Sequence, residues 1–157
     1  MKRSESREIV FKVLFQREYH EDFNEIYDRL LGELDAPTLE TSYAKKTMVE
    51  ILENITTIDG IINDNLKGWV FERLSKTVIA ILRLGIYEII YSDTIPNVAA
   101  INEAMKIAYQ YCDEKECVFI NGILHAVHSK DTSDKSDSED TGSDISASKD
   151  TDDDIRD

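Results

Sequence analysis

The chain has 157 residues, with 32 Asp and Glu against 18 Lys and Arg and a formal net charge of −14. That length suits one ordinary domain with room for a tail, and 41% hydrophobic residues can fill its core. Two prolines and six glycines are too few for the turns of an all-β domain, and no apolar run approaches the roughly 20 residues of a membrane span.

The opening, MKRSESREIV, lacks the apolar stretch of a signal peptide, so a cytoplasmic protein is expected. From about 5 to 19, Ile9, Val10, Val13 and Leu14 recur at three- and four-residue spacing, as a helix with one buried face requires. A second helix over 22–34 would bury Phe23, Ile26, Leu30 and Leu34. Pro37 breaks the pattern, and Thr41 or Ser42 would cap a helix over 42–56 with apolar positions at Met48, Val49, Ile51, Leu52 and Ile55. Residues 58–67 repeat the spacing with Ile58, Ile61, Ile62 and Leu66, before Gly68. Trp69 and Phe71 then read as core anchors rather than stacking platforms.

The stretch 75–92, SKTVIAILRLGIYEIIYS, is apolar on nearly every side of a helix, from Val78 to Ile90. Such a helix is buried all round and should be central. Arg83 and Glu88 interrupt it and need partners, because a lone buried charge costs several kcal/mol. Asp93 to Pro96 ends the helix. Asn97 would cap the next, to about 112, with Val98, Ile101, Met105, Ala108 and Cys112 inward. A last helix over 117–128 buries Phe119 or Ile120, Ile123, Leu124 and Val127. Seven helices with short links make an all-α bundle.

Charge is unevenly placed. Residues 130–157 hold 11 acids against four bases, a net of −7, with no aromatic residue. So little apolar surface cannot offset ordering entropy, and a disordered acidic tail is expected after a domain at 1–129. Residues 1–17 carry Lys2, Arg3, Arg7, Lys12 and Arg17 against Glu5 and Glu8, a net of +3. The acidic total argues against nucleic acid, because phosphate repels negative charge; a locally basic end argues for it. Arg3 and Arg7, four apart on one helix face, can bind successive phosphates or stack on unpaired bases. The alternative is an ordinary helix start with Arg7 paired to an acid.

Enzyme chemistry has no foothold, as no phosphate loop, dinucleotide fingerprint or nucleophile elbow is present. No catalytic residue and no cofactor is expected. The best metal set is Cys112, Cys117, His125 and His128, but its spacing is not a usual zinc spacing. Reduced core cysteines and no metal are the expectation.

Three stretches remain: KRSESREIVFKVLFQ at 2–16, WVFERLSKTVIAILRLGIYE at 69–88, and IPNVAAINEAMKIAYQY at 95–111 followed by FINGIL at 119–124. In order and spacing these resemble the K-R-x-x-x-R-E, A-I-L-R-L-x-x-Y-E, I-P-x-x-V-x-[IM]-N-E-A and F-V-N-G segments of the NusB family, bacterial transcription antitermination factors. The resemblance implies two three-helix bundles that bind the boxA element of RNA together with NusE, a small-subunit ribosomal protein. The pair would join RNA polymerase antitermination complexes, notably on ribosomal RNA operons. RNA contacts would fall to Lys2, Arg3, Arg7 and Lys12, with Phe119 stacking on a base and Asn121 beside it. The partner surface would include Phe15, Glu72, Val78 and Ile79, and a homodimer without the partner stays open.

Two departures carry consequences. Ser4 stands where the family often has another basic residue, which implies weaker RNA contact. Val78-Ile79 replaces a usual charged pair, which argues against a salt bridge to the partner there and leaves an apolar contact or a co-adapted partner surface in its place. Two other readings are a purely protein-binding helical module and a relative of the NusB-like domains of ribosomal RNA cytosine methyltransferases. The basic N-terminus argues against the first. The second needs a catalytic domain that the acidic segment does not supply.

Overall fold

A computed structural model describes residues 3–18, 22, 25, 29, 39–92 and 94–138. Among these residues are six α-helices and no strand: α1 (Arg3–Arg17), α2 (Leu39–Glu53), α3 (Ile55–Asp64), α4 (Lys76–Tyr91), α5 (Asn97–Tyr111) and α6 (Glu114–Ser138). A single 3-10 turn, Phe71–Arg73, precedes α4.

The helix that is apolar all round is the one the others surround. The Ser75 side chain caps α4 by accepting a hydrogen bond from the Val78 N–H at 3.1 Å. Every residue from Val78 to Ile89 is then buried. α4 touches all five other helices; with α5 and α6 it forms a mutually packed three-helix bundle, and α1 lies against both α4 and α2. The core runs without a break from Val10 and Leu14 through Met48, Ile58 and Ile62 to Ile101 and Leu124. Each such side chain contributes about 1.5–3 kcal/mol through apolar burial. Gly85 marks the tightest approach of α4 to its neighbours. A Cβ there would lie 2.9 Å from Leu124 Cδ2 and 3.3 Å from Ala104 Cβ, so any side chain at this position would make Leu124 shift.

Element boundaries differ from the periodicity at several points, each for a local reason. The helix expected over 22–34 lies almost wholly outside the described residues. α2 starts at Leu39, so Thr41 and Ser42 fall inside its first turn. Pro96 occupies the N-cap of α5 and Asn97 is its first residue. The Asn97 amide is used across helices, 3.1 Å from both His128 Nδ1 and Asp131 Oδ2. Val98 stays exposed in the first turn of α5.

α6 starts three residues ahead of expectation because Asp113 and Glu116 form a capping box. Asp113 Oδ1 accepts from the Glu116 N–H at 2.8 Å, and Glu116 Oε1 accepts from the Asp113 N–H at 3.1 Å. The helix runs past residue 129 to Ser138. Lys130 and Asp131, at the start of the acidic segment, hold the body through Asn65 at 3.0 Å and Asn97. No helix among the described residues is long and apolar enough to cross a membrane.

Candidate nucleic-acid interface

The basic N-terminal helix is bolted to the core by its own arginines. The Arg3 guanidinium stacks 3.8 Å above the centre of the Tyr43 ring, a cation–π contact from α1 to α2. The Tyr43 hydroxyl donates to Glu88 Oε2 in α4. Arg7 Nε donates to both Glu88 oxygens, at 3.1 and 2.8 Å, and its Nη1 lies 3.4 Å from Glu103 Oε1 in α5. Glu88 is 0% and Arg7 6% exposed. One polar network thus joins α1, α2, α4 and α5.

This geometry corrects the expectation of Arg7 as a phosphate contact. Arg3 and Arg7 do share a helix face, but that face continues through Val10 and Leu14 into the core. Arg7 is consumed by Glu88, the carboxylate that an apolar central helix could not leave unpaired. Arg3 remains half-exposed, and Lys12 is exposed, 3.8 Å from Glu8. Lys2 lies outside the described residues.

Burial, the charge of Glu88 and the hydrogen bond to it push the Tyr43 hydroxyl up to about 12, from 10.0. A folded-state pKa above the unfolded one stabilises the fold fully below pH 10, and that contribution is lost as pH climbs towards 12. Urea unfolding at about pH 8 and about pH 11 should therefore show a loss of stability at the higher pH. Tyr43→Phe should shrink that loss. It should not abolish it, because Tyr87, buried and bonded to Glu50, is shifted the same way.

A second surface lies on α6. The half-buried Phe119 ring sits 5.3 Å from that of Trp69 at an interplanar angle of 58°. Trp69, expected as a core anchor, is 58% exposed. Gly68 adopts φ 81°, a conformation glycine enters freely, and the chain leaves that turn in irregular backbone. Phe71 does pack against the core. Grooves open on both sides of the aromatic pair. One, of about 710 Å³, is lined by Arg73, Leu74, Val78, Glu114, Lys115 and Glu116 besides the two rings. The other, of about 330 Å³, is lined by Asn65, Lys67, Gly122 and Lys130. Asn121 is exposed but faces a different hollow, with Tyr109 and Cys117. The structure does not bring it together with Phe119.

The expected partner surface is only partly available. Phe15 is half-buried with its ring 6.3 Å from Phe11, and Glu72 is exposed on the 3-10 turn. Val78 and Ile79 are both buried, because α4 is enclosed from its first turn. Val78 reaches the outside only as part of the wall of the larger groove. An apolar partner contact through Ile79 is therefore closed off. Arg83 turns into the bundle. Its Nε and Nη2 donate to the two oxygens of Asp59, each at 2.8 Å, and Nη1 donates to Glu18 at 2.7 Å. Burial works against its charge, but the hydrogen bonds to Asp59 and Glu18 outweigh it and raise the pKa.

The cysteines behave as packing residues. The Cys117 thiol donates to the Ala108 carbonyl at 3.4 Å. Burial, with Glu116 adding, pushes the Cys112 thiol up to about 12. Among the described residues no group of three or more His, Cys, Asp or Glu is placed to hold a metal.

Comparison with known proteins covers this whole arrangement. The model of the NusB family matches residues 4–129, from α1 into α6. The transcription antitermination protein NusB of Fervidobacterium nodosum is 39% identical over 127 residues, 80% of this chain and 89% of that protein. That of Agathobacter rectalis is 38% identical over 127 residues, 79% and 97%. Among solved structures, T. maritima NusB superposes with a TM-score of 0.77 at 33% identity, covering 83% of this chain and 92% of that one. A chain from the crystal structure of antitermination factors NusB and NusE in complex with dsRNA gives 0.73 at 26% identity, covering 82% and 96%. With the all-helical fold and the polarised charge in place, the chain belongs to the NusB family.

Proposed function

We propose that this protein is a non-enzymatic, cytoplasmic transcription antitermination factor. It binds boxA RNA together with ribosomal protein NusE in RNA polymerase complexes, notably on ribosomal RNA operons. The observation that carries the reading is the match, over 82% of this chain, to a chain crystallised with NusE and RNA. Lys2, Arg3 and Lys12 contact phosphates, Arg7 positions α1, and Phe119 offers a face to a base. Residues 18–129 carry a net charge of −10, which attracts a basic ribosomal protein and leaves the basic end to RNA.

The test is titration of labelled boxA RNA with the protein, with and without NusE. Alone, binding should be modest and salt-dependent, with a log–log slope of roughly −0.7 per phosphate neutralised on a single strand; NusE should tighten it. Arg3→Ala with Lys12→Ala should weaken binding and flatten the slope by roughly 1.4, while urea unfolding changes by no more than about 1 kcal/mol from the lost cation–π contact. Absence of binding in both conditions, or binding indifferent to the two substitutions, rejects the proposal.

A further inference from the structure

We propose that the groove between Trp69 and α6 is a binding site for an unpaired nucleotide of single-stranded RNA. Trp69 is its stacking platform, and Lys67 and Lys130 are its phosphate contacts. This rests on the RNA-binding reading above and adds to it a site outside the basic N-terminal helix.

Four observations converge there. A tryptophan left 58% exposed is a large apolar surface in water, and indole is the aromatic face best suited to stacking and cation–π contact. The groove of about 330 Å³ beside it is lined by two lysines and no carboxylate, in a chain where acids outnumber bases 32 to 18. That local reversal of sign complements a phosphate. The Lys130 ammonium is held 3.0 Å from Asn65 Oδ1, so one cation is already oriented. Gly122 leaves its part of the wall open: a Cβ built there meets nothing within 4 Å. The volume lies at the low end of the about 300–1,000 Å³ of small-ligand sites. The larger groove across the indole is a poorer match, since Glu114 and Glu116 offset Arg73 and Lys115 there.

Trp69 is the chain's single tryptophan, so its fluorescence reports on the indole that both grooves share, and the lysine substitutions tell the two grooves apart. Titration of single-stranded boxA RNA into the full-length protein should quench that emission along the isotherm given by anisotropy of labelled RNA. Trp69→Ala should weaken RNA binding about 5- to 160-fold, Trp69→Phe should keep most of the affinity, and Lys67→Ala with Lys130→Ala should reduce the salt slope by roughly 1.4. If anisotropy reports binding while the emission stays constant and Trp69→Ala binds like wild type, this site is rejected and the proposed function stands. If Trp69→Ala weakens calorimetric binding of NusE but not of RNA, the groove is a protein surface and the inference fails. If wild type binds no RNA with or without NusE, the proposed function falls and takes this site with it.

Discussion

Arg7→Ala should cost about 3–5 kcal/mol of folding stability, the range for breaking one side of a buried ion pair. The substitution leaves the Glu88 carboxylate, 0% exposed, with the Tyr43 hydroxyl in place of a cation. Glu88→Ala should cost as much, because the Arg7 guanidinium then keeps only Glu103 at 3.4 Å. Against a total stability of about 5–15 kcal/mol for a natural domain, either change removes about a fifth or more. Arg7→Met with Glu88→Leu should recover most of the loss, since apolar residues of similar volume remove both charges together. Urea unfolding of the four proteins measures this directly. A surface arginine holding phosphate would behave differently: its removal would leave the unfolding midpoint in place and lower RNA affinity alone. An Arg7→Ala protein with a wild-type midpoint would show that the network does not hold α1.

The inward course of Arg7 was legible in part. It stands three residues before Val10 and seven before Leu14, on the stripe that packs α1 against the core. The basic composition of the segment pulled the reading outward, although charge says nothing about which face a residue occupies. Glu88 and Arg83 were visible as charges needing partners. Their partners were not, because Arg7 and Glu88 are 81 residues apart and Arg83 and Asp59 are 24 apart, and helical periodicity reports only on neighbours three or four positions away. The same limit explains Trp69. Outside a helix there is no period to assign a face, and only tertiary packing decides whether an indole is covered. Central burial of α4 was plain because apolar residues on every side leave a helix no solvent face. The start of α6 was also written in the chain, as the D-x-x-E of a capping box at Asp113 and Glu116; the apolar stripe begins later and carries no sign of it.

Arg83→Ala should destabilise the fold by about 2–4 kcal/mol, within the range for large effects at a buried charge network. The guanidinium forks onto Asp59 and reaches Glu18 with a third N–H, tying α4 to α3 and to the end of α1. Removing it takes the bidentate cation from Asp59 and leaves Glu18 with the longer contacts to Arg17 at 3.6 Å and Lys76 at 3.9 Å. The cost is held below that of Glu88 because both acids keep some solvent contact, with 28% and 17% of their side chains exposed. Arg83→Lys should recover only part of the loss. One ammonium cannot present parallel donors to both oxygens of Asp59 and still reach Glu18. The comparison also decides where the residue acts. If Arg83 were a contact for NusE, Arg83→Ala would lower NusE affinity at an unchanged unfolding midpoint, and Arg83→Lys would restore much of it through charge alone. The bidentate geometry requires the opposite: a lowered midpoint for both variants, larger for alanine, and NusE affinity near wild type once measured at a temperature where the variant is fully folded.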